Sequence, residues 1–114
     1  MDGNIENLPE IYEKYPNVLI MIHAAGYPAV HTAYDTTREA AYMLSDYDDF
    51  RIVAVDCARG PAWGKVCYNY GIHGYPDFRF FKNGEQIDDW DGNGSDLNEL
   101  IEYINTMRSL KDEL

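Results

Sequence analysis

Cysteine is scarce in this chain: Cys57 and Cys67 are the only two in 114 residues. Two sulfurs without a histidine at ligand spacing make a poor zinc site. Long apolar runs are missing as well. None approaches the roughly 18 residues of a membrane-spanning helix, which excludes such a span. Basic residues are few, nine Lys and Arg against twenty Asp and Glu, and the net charge of −11 argues against nucleic acid and anionic membrane surfaces as partners. There is no glycine-rich phosphate loop, and no nucleophile sits in a Cys–His or Ser–His arrangement. No cofactor is implied. Met1 to Asn17 is polar and charged, without the features of a secretory leader.

An apolar fraction of 46% is ordinary for a folded globule, and the length suits one domain with a real core. Asn4 to Tyr15 reads as a helix, with Leu8, Ile11, Tyr12 and Tyr15 at helical spacing. Val18 to Ile22 is a short continuous apolar run, the mark of a strand buried on both faces. Ala24 to Val30 reads as a loop and His31 to Ser45 as a helix, whose inner face draws on Ala33, Ala40, Ala41, Met43 and Leu44. Phe50 to Asp56 is a second buried strand, and Pro61 to Tyr70 a helix with proline in its first turn. Phe78 to Phe81 and Gln86 to Trp90 flank Lys82-Asn83-Gly84-Glu85, a strong hairpin signal. A last helix runs from Asp96 to Met107, with Leu97, Leu100, Ile101 and Ile104 as its stripe and Ser95 as its expected cap. Strands alternating with helices, then a closing hairpin, imply an α/β sandwich around a mixed sheet.

The chain ends in Lys111-Asp112-Glu113-Leu114, the tetrapeptide that returns proteins to the endoplasmic reticulum. It implies an oxidising lumenal address and the KDEL receptor as a partner. It also implies a removed leader or further domains ahead of Met1. The expected division is a domain over 1–107 and a tail over 108–114.

Several blocks carry a family resemblance: Val18-Leu19-Ile20 leading into Ala24, Val55-Asp56-Cys57, Tyr70-Gly71-Ile72, Gly74-Tyr75-Pro76, and Phe80-Phe81-Lys82-Asn83-Gly84. Together they resemble a thioredoxin-fold domain of the protein disulfide isomerase family, from about Leu8 to Ile104. The resemblance implies a thioredoxin fold with a mixed central sheet flanked by helices, its first strand short or absent. It implies a cis bond before Pro76, which would present the backbone of Tyr75 for strand-like pairing with a polypeptide. The family's Cys-x-x-Cys falls on Tyr27-Pro28-Ala29-Val30, where no sulfur stands, so thiol exchange has no attacking group there. The family's buried Glu–Lys pair falls on Met21 and Ala54, both apolar. A disulfide between Cys57 and Cys67 is implied by the same resemblance. A redox-active pair and two buried free thiols are the alternatives.

Asp89 to Leu100 resembles the start of an EF-hand loop but lacks the acidic residue at its twelfth position. No metal site is expected. Asn93-Gly94-Ser95 is a glycosylation sequon. His23, His31 and His73 gather near the degenerate loop on this fold. Tyr27, Pro28, Tyr75 and Pro76 share one rim, a candidate polypeptide-binding surface, with Trp63 as a neighbour. The missing first strand would leave Phe50–Asp56 as an edge, to be covered by a second copy in a homo-oligomer, by Met1–Ile5, or by sequence ahead of Met1. The expected function is a non-catalytic lumenal module that binds unfolded or partner polypeptides. The alternatives are an oxidoreductase working through Cys57 and Cys67, and an adaptor domain of a larger isomerase.

Overall fold

A computed structural model of the chain describes residues 1–24, 28–72, 76–92 and 94–110, without the side chains of residues 28–30. The elements are α1 (Leu8–Lys14), β1 (Asn17–His23), α2 (Pro28–Met43), β2 (Phe50–Asp56), α3 (Pro61–Tyr70), β3 (Asp77–Lys82), β4 (Glu85–Trp90) and α4 (Leu97–Ser109). The order is the expected one, and the differences lie at element ends. α1 begins at Leu8 because Asn4 turns the chain first, its side chain accepting from the Glu6 and Asn7 amides. α2 begins at Pro28, three residues before the expected start at His31, which corrects the reading of 28–30 as loop. Proline lacks the amide that a first turn leaves unpaired anyway. α4 is capped by Asp96 rather than Ser95: the Asp96 carboxylate accepts from the Glu99 amide at 3.1 Å.

The sheet order is β2-β1-β3-β4, with β1 parallel to β2 and the other pairs antiparallel. This is a thioredoxin fold. β1 is central, and its run of apolar residues supplies both layers. Val18, Ile20 and Ile22 pack with α1 and α3; Leu19 and Met21 pack with α2 and α4. Burying each such side chain is worth about 2 kcal/mol. Met43, expected inside, is 55% exposed; the inward stripe of this segment is Ala33, Thr37, Ala40 and Leu44. Thr37 is tolerated there because its hydroxyl donates to Ala33 O, one turn back. The hairpin turn is made by Asn83 and Gly84, both left-handed at φ 52° and 81°.

β2 is an edge, as expected, and Met1–Gly3 covers part of it. Asp2 pairs with Ala54 in parallel, the Gly3 amide donates to Ala54 O at 2.9 Å, and the Ala54 amide donates to Met1 O at 2.8 Å. Gly3 is required at this approach, since a Cβ would fall 2.4 Å from Val53 Cγ1. The homo-oligomer expected through Phe50–Asp56 was motivated by an open edge, and that edge is partly occupied by the chain itself.

Candidate functional site

Three strand ends meet at one end of the sheet. His23 closes β1 opposite Asp56 of β2, and Ile22 lies opposite both Val55 of β2 and Asp77 of β3. The connections leaving these positions therefore gather outside the carboxyl ends of the parallel strands, where open α/β sheets bind ligands. Pro28 opens α2 and Pro76 precedes β3, so both expected rim prolines leave from this end. Tyr27, His73 and Tyr75 lie outside the described residues, as do Asn93 and Lys111 to Leu114. The bond joining Tyr75 to Pro76 and the side chains of Pro28, Ala29 and Val30 do so too.

Cys57 and Cys67 form a disulfide, with their α-carbons 5.9 Å apart. Cys57 follows β2, where its amide donates to His23 O at 2.8 Å, while Cys67 is buried in α3. The link pins α3 against the end of the sheet. In the chain-entropy account, a loop of this length contributes roughly 3 kcal/mol. Trp63, one turn before Cys67, carries the Arg59 guanidinium 4.5 Å from its ring centre, and Arg59 also pairs with Asp2 at 3.0 Å.

Charged groups line the same end. Arg79 grips Asp77, with Nε 3.2 Å from Oδ1 and Nη2 3.3 Å from Oδ2, and both side chains are mostly buried. Such a two-point contact fixes the strand that leaves Pro76. Asp89 lies 3.8 Å from the same guanidinium, in β4 rather than in a calcium-type loop. Burial, and then the neighbouring Asp77 carboxylate, raises its carboxyl above the ordinary range. His23 is half-buried, edge-on to Tyr34 at 5.6 Å, and desolvation lowers its imidazole although Asp56 and Asp2 oppose the shift. His31 is exposed on α2. Among the described residues, no group of three or more His, Cys, Asp or Glu is placed to hold a metal ion.

Beneath this end, Met21 and Ala54 are register partners on adjacent strands. Thr37 brings its hydroxyl to 3.4 Å from Met21 Sδ, and a cavity of about 70 Å³ lies between Met21, Thr37, Ala54 and Ile52. An ion pair here would have to be desolvated at several kcal/mol per ion.

Residues 27–106 match the thioredoxin family. The chain belongs to that family. Over 54 residues this thioredoxin domain is 42% identical to a putative protein disulfide-isomerase of Schizosaccharomyces pombe. The aligned stretch is 47% of this chain and 10% of that protein, so the chain matches about a tenth of that curated relative. Among solved structures, the zinc-bound form of human ERp44 superposes with a TM-score of 0.84 at 20% identity, over 96% of this chain and 31% of that one. Thioredoxin f2 of Chlamydomonas reinhardtii superposes with a TM-score of 0.74 at 18% identity, over 97% and 98%. These likenesses show the fold.

Arg79, Asp77 and Thr37 were not singled out from sequence. A signal for the first two was present: they are two residues apart on a strand, hence on one face, directly after Pro76. Thr37 falls four residues after Ala33, on the inward stripe. No helix among the described residues is long and apolar enough to cross a membrane.

Proposed function

We propose that this thioredoxin domain is a lumenal module of the endoplasmic reticulum that binds unfolded or partner polypeptides without thiol–disulfide turnover. One observation carries the reading: both cysteines of the chain are joined to each other, between β2 and α3, while positions 27–30 read Tyr-Pro-Ala-Val. Exchange requires a thiolate or an accessible disulfide; positions 27–30 carry neither, and burial of Cys67 hinders attack on the Cys57–Cys67 link by a client thiolate. Binding would use the backbone of Tyr75 ahead of Pro76, with Tyr27 and Pro28 as the facing rim, so that an extended polypeptide pairs as an added strand. The acidic tail, Lys111 to Leu114, would engage the KDEL receptor, and Asn93 would accept a glycan in that compartment. The domain over 1–107 would then act as the folded body and 108–114 as the address.

Two measurements test this together. Insulin reduction should remain at the uncatalysed rate for the protein and for Cys67→Ser alike. Binding of an unfolded polypeptide, followed by fluorescence anisotropy, should weaken strongly in Tyr75→Ala. Insulin reduction that disappears in Cys67→Ser would establish the oxidoreductase alternative. Unchanged polypeptide binding in Tyr75→Ala would remove the shelf.

A further inference from the structure

The two guanidiniums described at the Pro76 end of the sheet are both engaged within the chain. Arg79 uses Nε and Nη2 on Asp77 and turns Nη1 to Gln86 Oε1 at 3.4 Å. The Tyr70 ring, 5.8 Å away, flanks the same guanidinium. Arg59 pairs with Asp2 and lies over Trp63. Asp56 and Asp89 remain. Asp56 accepts from the Ala58 amide and has no cation in salt-bridge reach among the described residues. Burial lowers the pKa of His23, so the imidazole adds little positive charge at neutral pH.

Asp89 is the outward-facing member of this set. It is the register partner of Arg79, on the strand beside the one that leaves Pro76. Its side chain is 59% exposed, and at 3.8 Å from Arg79 Nε it lies beyond hydrogen-bond distance. Asp77 already holds that guanidinium at two points, so two carboxylates share one cation. Burial and then the Asp77 carboxylate raise the Asp89 carboxyl, and a second cation beside it would relieve that repulsion. Among the described residues no group of three or more His, Cys, Asp or Glu is placed to hold a metal ion. A pair of carboxylates with one exposed member suits a single ammonium or guanidinium instead. The net charge of −11 acts in the same sense, drawing a cationic segment in and turning an anionic one away.

We propose that the polypeptides taken at the Tyr75–Pro76 shelf are basic, and that Asp89 selects them by pairing with a lysine or arginine of the client. This rests on the reading that the domain binds polypeptides there, and it adds which class of polypeptide. An exposed pair of this kind changes affinity only a few-fold. Backbone pairing at the shelf holds the segment, and Asp89 decides which segment is held.

The test uses three fluorescently labelled versions of one extended peptide, in which threonine alternates with lysine, with norleucine or with glutamate, so that every register presents the same side chain. Anisotropy titrations at low salt should rank lysine tightest and glutamate weakest, about tenfold apart, and the gap should shrink as salt is raised. Asp89→Asn should weaken the lysine version about threefold, the effect of one exposed ion pair. Asp89→Lys should weaken it further and strengthen the glutamate version. Equal affinity for the three versions, or an Asp89→Asn protein that binds the lysine version as tightly as before, would overturn the selection and leave the shelf standing. Tyr75→Ala keeps the two apart, since it should weaken all three versions, norleucine included. A protein that binds none of them would remove the shelf and the selection with it.

Discussion

At the Asn17 end of β1, Lys82 donates to Asn17 Oδ1 at 2.8 Å and to the Met107 and Arg108 carbonyls at 3.2 Å each. Arg108 adds a bond to Asp49 at 2.8 Å, with its guanidinium 3.8 Å from the Tyr47 ring centre. At the His23 end the fastening is covalent, through Cys57 and Cys67. The first arrangement satisfies the last carbonyls of α4 with a partly buried cation and engages polar groups on three elements. A sulfur link needs none of them. The disulfide thus holds α3 in place without drawing on backbone groups. The two ends of the sheet are held by different chemistry, polar at one and covalent at the other.

The contrast can be broken most severely at the sulfurs. Cys57→Ser with Cys67→Ser should lower unfolding stability by about 3 kcal/mol in denaturant titration, with amide protection lost first in α3. If α4 loosens first, the link does not serve the site end. Next comes the opposite end. Lys82→Met keeps the stem but removes the donors, and should destabilise by about 2 kcal/mol, with exchange rising in the last turn of α4. A smaller effect is expected at the β2 edge. Gly3→Val should cost about 1 kcal/mol, because the segment lifts away rather than compressing Val53; proton exchange at the Ala54 amide reports it.

The smallest effect separates the two ends by pH. The Arg108 bond holds the Asp49 carboxyl below its ordinary range, so its contribution is present above the unfolded value and fades as pH falls through the folded one. His23 behaves differently. Burial lowers its pKa from 6.5, so the unfolded chain takes up the proton first, and stability declines as pH falls through that value. Melting temperature should therefore drop slightly from about pH 7.5 to about pH 5.5, and His23→Asn should flatten that slope. An unchanged slope would assign it to another group.

Much of this was legible in the sequence. The run Val18–Ile22 announces a strand with no polar face, and Asn83-Gly84 announces its turn because few residues accept a positive φ twice in succession. The start of α2 was not legible, since proline closes one helix and opens another with equal ease. Nor was its inward stripe: Ala40, Ala41, Met43 and Leu44 are all apolar, and only packing shows that Thr37 replaces Met43 inside. The cover on β2 by Met1–Gly3 was one of three options the sequence left open, since a single residue pair is too short to have a period that would choose among them. The contacts of Lys82 reach 65 residues back and 26 forward, beyond any local pattern. At the candidate site, the absence of cysteine from 27–30 was plain, whereas the Arg79–Asp77 pair showed in the sequence only as two residues on one face of β3, not as a two-point contact.

The bridge between β2 and α3 also makes one peptide segment dispensable for holding the molecule together. Arg59 is about half exposed and Lys65 faces solvent, and both lie inside the ring that the two sulfurs close. A tryptic nick after either residue would leave two fragments that migrate as one species on a gel without reductant. They would part only when a thiol is added.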